Sequence, residues 1–326
     1  MRLSEVGCVV IGRNEGERLR KCLASVVGHV GRVVYVDSGS TDGSVEMAQA
    51  QGVQVVALDM RQPFTAARAR NAGFMALLQA MPDCTHVQFV DGDCEIQPAW
   101  IEQADAFLAS HPQAAVVCGR RRERHPERSV YNRLCDQEWA VPAGIAKACG
   151  GDAMMRVAAL RAVGGYRDDL IAGEEPELCV RLRAQGWQIH VLAAEMTLHD
   201  AAMTRFGQWW MRNVRAGYAY AEGAHLHGQP PERHCVRSLN SALAWGLGLP
   251  LLIAAAGFVA GPWALALLLI YPLQVTRLFL GGSGDSRSRR VRAIFLVLGK
   301  FPEVQGALRY RRLRMLKRNG RLIEYK

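Results

Sequence analysis

The sequence is organised around the stretch Phe89-Val90-Asp91-Gly92-Asp93-Cys94-Glu95. A short apolar run ends here in two carboxylates, Asp91 and Asp93, with one residue between them. Because side chains alternate along an extended strand, we predict that Asp91 and Asp93 point to the same side. Two carboxylates at the end of a buried strand suit a divalent cation. An acidic turn without a metal is the alternative, because Asp and Gly are common turn residues.

Short apolar runs alternate with helical patterns over the first ninety residues. The runs predict strands over residues 6–11, 33–36, 53–58 and 86–90. Between them, the spacing of apolar residues predicts one helix after the first strand and another over residues 64–81. Strands that alternate with helices predict an α/β fold with a parallel sheet and helices on both faces.

Polar clusters follow three of these predicted strands: Arg13-Asn14-Glu15, Asp37 and Asp91-Gly92-Asp93. Ligands of such sheets bind beyond the carboxyl ends of the strands, so we expect the three clusters to converge. The first strand is not followed by G-x-G-x-x-G, and G-x-x-x-x-G-K-[ST] is absent from the sequence. Dinucleotide-binding and P-loop proteins therefore do not fit.

Four further polar features lie between residues 114 and 200. Arg120 to Arg124 follow a predicted strand and form either a solvated charged loop or a phosphate contact. Gly150-Gly151-Asp152 allows close approach of a ligand to the backbone. Glu174 and Glu175 open a helix, where acidic residues are favoured with or without a function. His199 follows the last predicted strand, and a structural role is its alternative.

The net charge of +10 lies in the C-terminal segment. Residues 281–326 carry thirteen Lys or Arg and three Asp or Glu, so the rest of the chain sums to zero. A nucleic-acid-binding domain is expected to carry basic residues over its folded face, so we expect no nucleic-acid partner. A basic segment after an apolar run suits anionic lipid. The nine cysteines show no metal-site spacing, which favours reduced thiols in the cytoplasm.

Residues 238–276 contain no charged side chain. Gly261-Pro262 divides this run into two stretches, each close to the ~20 residues of a spanning helix. We predict a helical hairpin, either transmembrane or re-entrant, with both flanks on the cytoplasmic side. The predicted domains are a catalytic domain over residues 1–230, the hairpin over 238–280 and a basic interfacial tail over 281–326.

The ordered motifs resemble the family-two inverting glycosyltransferases with the GT-A fold, of the membrane-associated bacterial type. The resemblance covers residues 6 to about 200, and each motif is weak alone. The motifs that carry it are Val9 to Glu15, Val36 to Gly43, Arg70-Asn71-Ala72-Gly73, Val90 to Asp93, Gly150-Gly151-Asp152 and Gly173 to Leu178.

The resemblance implies a role for each polar cluster. A nucleotide-diphosphate sugar would be held by Arg13, Asn14, Glu15, Asp37, Arg70, Asp91, Gly151 and Asp152, and Mg²⁺ or Mn²⁺ by Asp93, Asp91 and His199. Glu175 would act as the general base, with Glu174 as the other candidate, because the family usually has Glu-Asp here. The Gln-x-x-Arg-Trp motif of processive synthases is absent, which favours transfer of one sugar.

The expected activity is transfer of one hexosyl or N-acetylhexosaminyl unit to a lipid-linked saccharide acceptor. That acceptor would be a polyprenyl-diphosphate saccharide on the cytoplasmic face of the inner membrane, in surface-polysaccharide or exopolysaccharide assembly. A polyprenyl-phosphate sugar synthase is the nearer alternative. A membrane-tethered protein that binds sugar nucleotides without turnover is the alternative from another class.

Overall fold

The computed structural model describes residues 3–317, 320 and 323. The chain divides into two compact units, Met1–Ala202 and Met203–Lys326. The first unit contains nine strands: β1 Val6–Gly12, β2 Arg32–Asp37, β3 Gln54–Ala57, β4 His86–Asp91, β5 Cys94–Ile96, β6 Ala114–Glu123, β7 Gly144–Ala146, β8 Ala153–Arg156 and β9 Gln188–His199. Its helices are α1 Glu17–Val26, α2 Ser44–Ala50, α3 Ala66–Ala80, α4 Trp100–Ser110, α5 Val130–Trp139, α6 Val157–Ala162 and α7 Glu174–Ala184.

The strands form one sheet in the order β3-β2-β1-β4-β8-β6-β9-β5, and β7 pairs with β9. The α/β fold is confirmed, and β3, β2, β1 and β4 are parallel as predicted. The expectation of a parallel sheet throughout is wrong. β8 runs antiparallel to β4 and β6, because it begins directly after the glycine loop at the carboxyl ends of the other strands. β5 and β7 are also antiparallel, both to β9.

Buried apolar side chains of the strands and helices form one core around this sheet. Leu19, Cys22, Leu23 and Val26, the predicted apolar face of α1, are all buried. Trp100 at the start of α4 is also fully buried, and its indole N–H donates to Gln88 Oε1 at 2.9 Å. The sheet therefore holds the carboxyl ends of β1, β2 and β4 in a fixed arrangement.

Two local predictions are wrong at the strand ends. β4 ends at Asp91, and Gly92 and Asp93 form a turn before β5, so strand alternation does not align the two carboxylates. The basic residues after Gly119 are not a loop, because β6 continues to Glu123. Along that extension Arg120 and Arg122 are more exposed than Glu123, which is buried.

The second unit is helical. Its helices are α8 Phe206–His227, α9 Val236–Leu243, α10 Leu249–Ala260, α11 Ile270–Leu280, α12 Ser286–Leu298 and α13 Lys300–Met315. A π-helical turn, Ala244–Gly248, joins α9 to α10, and a 3₁₀ segment, Gly261–Leu269, joins α10 to α11.

Helices α8 and α13 pack closely through Gly217 and Gly306, where a β-carbon would overlap the backbone of the facing helix. Two predicted boundaries therefore differ from the structure. α8, which the sequence assigned to the catalytic domain, belongs to the second unit. α13, which the sequence assigned to a basic interfacial tail, is a packed helix with Val304, Ala307 and Tyr310 buried. Residues 318, 319, 321, 322 and 324–326 of that tail lie outside the described residues.

One stretch of the described residues, Val236–Leu280, is long and apolar enough to cross a membrane by length and composition. This stretch is not one straight helix. Gly261 has a φ of 66°, and the backbone reverses there. Tyr271 Oη donates to the carbonyl oxygen of Trp245 at 2.8 Å, so the two limbs lie side by side as a hairpin.

Candidate active site

The loop after β1 and the loop after β2 are tied together at the carboxyl edge of the sheet. Asn14, with a φ of 55°, accepts a hydrogen bond from Thr41 N at 2.8 Å, and its own N–H donates to Ser40 Oγ at 2.9 Å. Asp37 is buried and accepts from Tyr35 Oη, Gly39 N and Ser40 N, each at 2.9 Å. The structure therefore gives Asp37 a clear role in shaping its own loop.

Arg13 and Glu15 lie on either side of Asn14, which forms the hydrogen bonds between the two loops. Arg13 is exposed, and Glu15 Oε2 lies 2.7 Å from Arg18 Nη2. The Cγ of Glu15 also covers Gly92, since a β-carbon on Gly92 would lie 3.3 Å from it. The loop after β1 thus lies directly over the Gly92 turn. The predicted nucleotide residues and the predicted metal residues are neighbours.

Three carboxylates surround the buried guanidinium of Arg70 on α3. Its Nη2 lies 2.8 Å from Asp91 Oδ1, and its Nη1 lies 3.0 Å from Glu174 Oε1 and 2.9 Å from Glu175 Oε1. The Arg70 side chain is only 3% exposed. One guanidinium therefore faces three acids, so the cluster carries excess negative charge when all are ionised.

The pKa of Glu175 is raised by these surroundings. Burial first, and then the charge of Glu174, raise its pKa to about 7, while the nearby Arg70 opposes the rise. Its side chain is 13% exposed, whereas that of Glu174 is 4% exposed. Glu175 is therefore the carboxylate of the pair with access to a ligand and with a pKa suited to exchanging a proton near neutral pH.

Gly151 faces this cluster and has no room for a side chain. A β-carbon there would lie 2.7 Å from Arg70 Nη2, 2.8 Å from Asp91 Oδ2 and 3.2 Å from Glu175 Oε1. The first two distances are shorter than any real β-carbon contact. The glycine therefore lets the backbone lie directly against the acidic cluster, and the predicted approach of a ligand to this loop stays a prediction.

Asp152 connects the cluster to the strands beneath it. Its Oδ1 accepts a hydrogen bond from Asp91 N at 3.1 Å, and its Oδ2 accepts from Thr197 Oγ1 at 2.9 Å. Arg121 Nη2 lies 2.8 Å from the same Oδ2. The buried Asp152 thus fixes the last residue of β4 relative to β6 and β9. Its position indicates a supporting role rather than direct contact with a ligand.

Asp93 and His199 form a second centre. The Oδ2 of Asp93 lies 3.3 Å from His199 Nε2, and both side chains are at least nine-tenths buried. Within the described part of the chain, one group of three residues has its ligand atoms within 4.8 Å of one another, and its members are Asp93, Cys94 and His199. Asp91, which the resemblance placed among the metal ligands, is outside this group and contacts Arg70 instead.

The donor set fits a divalent cation such as Mn²⁺. A carboxylate oxygen and an imidazole nitrogen are ligands that this ion accepts. Neighbouring ligands at about 2.1 Å in an octahedral site lie about 3 Å apart, close to the spacing of this pair. His199 Nδ1 is buried and has no hydrogen-bond partner, and its nearest carboxylate oxygen belongs to Glu123 at 4.0 Å. Burial raises the pKa of the Cys94 thiol well above its usual value, so Cys94 remains protonated.

A cavity of about 210 Å³ adjoins Asp93. It lies between α1, the β4–β5 turn and the segments after β6 and β9, and it is lined by Glu17, Arg18, Lys21, Asp93, Cys94, Arg124, His125 and Asp200. Two of its cations are paired, Arg18 with Glu15 and Arg124 with Glu95. Basic groups beside a carboxylate–imidazole pair provide for an anion and a cation together.

Sequence reasoning missed three members of this site. Arg121 binds Asp152 and lies over the ring of Trp139, with its Cζ 5.5 Å from the ring centroid. Trp139 also contacts the edge of His199, with centroids 4.7 Å apart. Thr197 bonds Asp152 from β9. The run Arg120 to Arg124 was recognised as basic, but nothing in the sequence singled out Arg121 or placed Trp139 beside His199.

Comparison with known proteins agrees with the geometry. Residues 8–162 match the family model described as glycosyl transferase family 2. A mannosyltransferase from Pyrobaculum calidifontis, PcManGT, solved in complex with GDP-Man and Mn²⁺, superposes with a TM-score of 0.56 at 20% identity. That alignment covers 94% of this chain and 86% of the mannosyltransferase. At this identity the superposition supports the shared fold.

Two curated relatives match shorter segments. The succinoglycan biosynthesis protein ExoA of Rhizobium meliloti is 27% identical over 183 residues, which are 53% of this chain and 54% of ExoA. A TPR repeat-containing protein of Synechococcus elongatus is 31% identical over 133 residues, which are 40% of this chain and 31% of that protein. The matches thus span about a half and a third of these relatives.

Proposed function

We propose that this chain, whose residues 8–162 match the model of glycosyl transferase family 2, transfers one sugar from a nucleoside-diphosphate sugar to a hydroxyl group of a lipid-linked saccharide. One observation carries the proposal. The Asp93–His199 pair and the Arg70–Glu175 cluster lie on either side of the Gly92 turn. A site for a leaving diphosphate and a site for a proton acceptor are therefore adjacent.

The donor binds across the carboxyl ends of β1, β2 and β4. The loop of Arg13, Asn14 and Glu15 and the loop shaped by Asp37 hold the nucleoside. Polar groups in fixed loops recognise a base and a ribose without rearranging, which lowers the entropic cost of binding. Arg18, Lys21 and Arg124 beside Asp93 supply positive charge near the diphosphate.

Asp93 and His199 would hold Mn²⁺ or Mg²⁺, and the imidazole donor favours Mn²⁺. Such an ion, held by these two residues, would supply positive charge for the leaving nucleoside diphosphate. Asp91 remains with Arg70 and positions the donor next to the metal pair. The Mn²⁺ present with GDP-Man in the mannosyltransferase supports this assignment.

Glu175 accepts the proton of the acceptor hydroxyl. The hydroxyl oxygen forms a bond to the anomeric carbon as the bond from that carbon to the diphosphate oxygen breaks. The proton goes to the Glu175 carboxylate, and the electron pair of the broken bond leaves with the nucleoside diphosphate. A single displacement of this kind inverts the anomeric centre and requires no nucleophile from the protein.

The second unit supports a membrane-bound acceptor on the cytoplasmic face of the inner membrane. Residues 238–276 carry no charge, and residues 281–326 carry the whole net charge of +10. Such a pairing suits insertion beside anionic headgroups. The name of ExoA, a succinoglycan biosynthesis protein, supports a place in polysaccharide assembly for this chain as well.

The test is a donor screen on the full-length protein, with extracted membrane lipids as acceptor and release of nucleoside diphosphate as the readout. We expect release that depends on acceptor and on Mn²⁺ or Mg²⁺. Tight donor binding without acceptor-dependent release would contradict the proposal and favour a binding protein. Transfer to polyprenyl phosphate alone would overturn the saccharide acceptor and favour a polyprenyl-phosphate sugar synthase.

A further inference from the structure

The height of the helical hairpin can be measured from the contacts between its limbs. The Tyr271–Trp245 hydrogen bond and the contact of their rings, with centroids 6.2 Å apart, place residues 245 and 271 at the same level. The backbone reverses at Gly261, so residues 258–263 form the tip of the hairpin. Phe258 and Val259 at this tip are 96% and 91% exposed, and Trp263 just beyond the turn is 86% exposed.

The base of the hairpin is covered by protein. A β-carbon on Gly246 would overlap the carbonyl oxygen of Lys300, so the π-helical turn lies directly against the start of α13. The rings of Tyr271 and Phe301 are 5.9 Å apart at the same level. Lys300 and Glu303 form an ion pair there at 2.7 Å, which limits how deeply the base can enter hydrocarbon.

The part that projects beyond this base is too short to cross a bilayer. α10 contains 12 residues and is about 18 Å long at 1.5 Å per residue. The 3₁₀ segment that returns beside it contains 9 residues and is also about 18 Å long at 2.0 Å per residue. The hydrocarbon core of a bilayer is about 30 Å thick, so one leaflet contributes about 15 Å. The projecting hairpin matches one leaflet.

The surface of the projecting part is suited to lipid. Of its large apolar side chains, Leu251, Leu252, Leu265, Leu268 and Leu269 are exposed, whereas Ile253 and Ala264 are buried. Helical hydrogen bonding continues through both limbs on each side of the break at Gly261. Pro262, directly after the break, has no N–H group that would need a partner in hydrocarbon.

Basic side chains flank the hairpin at its base. In sequence they are Arg237 before the first limb and Arg277 after the second, followed by Arg287, Arg289, Arg290 and Arg292 of α12. Both ends of the hairpin therefore carry positive charge and its tip carries none, which is the arrangement expected when both ends remain at one anionic surface.

We propose that residues 249–270 insert into a single leaflet of an anionic bilayer, with the tip at Phe258 near the midplane and both ends on the cytoplasmic surface. This inference rests on the membrane location in the proposed function. It favours the re-entrant hairpin over the transmembrane one, which the sequence left open. The charge-free run looks long enough to span because it includes α9 and the π-helical turn, which pack against α13.

Thiol labelling of the full-length protein in vesicles tests the depth. The vesicles contain phosphatidylcholine with about a quarter phosphatidylglycerol. The background is Cys235→Ser, since the other eight cysteines are buried. We expect Phe258→Cys to resist an impermeant maleimide from both sides, while Thr276→Cys at the base reacts from the outside. Labelling of Phe258→Cys by reagent trapped inside the vesicles would overturn the proposal, because only a crossing hairpin exposes its tip there.

A charge at the tip gives a second measurement. Phe258→Asp removes no packing, because Phe258 is 96% exposed, and it places a carboxylate near the midplane. We expect vesicle partitioning to fall about a hundredfold. The matched variant Thr276→Asp at the base should partition like wild type. Equal partitioning of Phe258→Asp and wild type would contradict insertion of the tip.

The two proposals fail differently. Wild-type protein that does not bind vesicles, or that buries the tip against a second copy in solution, would overturn both the insertion and the membrane location. Binding with a tip that reacts from inside the vesicles would overturn only the single-leaflet arrangement. A hairpin that inserts as proposed without transfer to lipid-linked saccharide would overturn only the acceptor.

Discussion

The acidic groups on either side of Gly92 have opposite surroundings. On one side, Asp91 shares the guanidinium of Arg70 with Glu174 and Glu175. On the other side, Asp93 lies beside the imidazole of His199. The first group contains its own counter-ion, and the second offers an oxygen and a nitrogen at the spacing of two metal ligands. We therefore expect the two carboxylates of this short motif to take different chemical roles.

The cause of the difference is the turn between them. Because β4 ends at Asp91 and the chain reverses before β5, the two side chains face different neighbours. Asp91 meets α3, and Asp93 meets the end of β9. Variants that change one group and leave the other intact can test whether the division of roles is real.

The largest effect is expected for Asp93→Asn. This change keeps the size of the side chain but removes the charged oxygen beside His199, so the metal binds weakly. We expect kcat/KM to fall roughly 10³-fold or more, because metal assistance to a leaving group contributes several kcal/mol. Calorimetric titration of Mn²⁺ with nucleoside diphosphate should show the same loss.

The matched control for this change is Asp169→Asn. Asp169 forms an exposed ion pair with Arg167 at 3.0 Å and is not a member of either acidic group. It should keep wild-type turnover and metal binding. Full activity of wild-type enzyme in excess chelator would contradict the assignment of Asp93 and His199 to a metal.

The next largest effect is expected on kcat, when Glu175→Gln is compared with Glu174→Gln. Glu175→Gln keeps the shape of the side chain and removes the basic oxygen, so kcat should fall roughly 10²-fold with donor affinity nearly unchanged. Glu174→Gln should have a milder effect on kcat, since Glu174 is almost fully buried against Arg70. Acceptor-dependent kinetics and donor binding on both variants provide the measurement. A dead Glu174→Gln beside an active Glu175→Gln would exchange the two roles.

The sequence predicted the strands that bear these residues, but it did not predict the different surroundings of Asp91 and Asp93. Apolar runs located β1, β2, β3 and β4, because a buried parallel strand is apolar along its whole length. The sequence analysis predicted no strand at β8, and hydrophobic spacing carries no information on strand direction, so its antiparallel pairing required the structure. The separation of Asp91 from Asp93 depends on where β4 ends, and element ends are set by tertiary contacts rather than by local pattern.

The supporting residues were harder to predict for a related reason. Arg121 and Thr197 act through Asp152, and each comes from a strand distant in sequence. A single sequence contains no signal that links three such positions. The carboxylates themselves were found because acidic residues at strand ends in an α/β fold are informative on their own. The site could thus be outlined, whereas its connections required the structure.

A smaller effect is expected from pH. The pKa of Glu175 is raised to about 7 by burial and by Glu174, so a fraction of the enzyme has a protonated base near neutrality. Since only the ionised form accepts a proton, kcat should rise with pH and level off above about 7, with a tenfold loss per pH unit well below it. The control is Glu175→Gln, whose acidic limb should vanish. A wild-type profile that is flat from pH 5 to 8 would contradict general-base catalysis by Glu175.

The smallest effect is expected for Thr197→Val, which keeps side-chain volume and removes one hydrogen bond to Asp152. Because Thr197 is fully buried and its acceptor is charged, we expect a loss of about 1–3 kcal/mol in the free energy of unfolding. Arg121 still holds Asp152, so the position of Asp91 should shift little and kcat should fall only a few-fold. Urea unfolding and steady-state kinetics provide the two measurements, with the exposed Thr85→Val as the control. A loss of kcat as large as that of Asp93→Asn, with stability unchanged, would mean that Thr197 contacts a substrate and that the two acidic groups are less independent than their surroundings indicate.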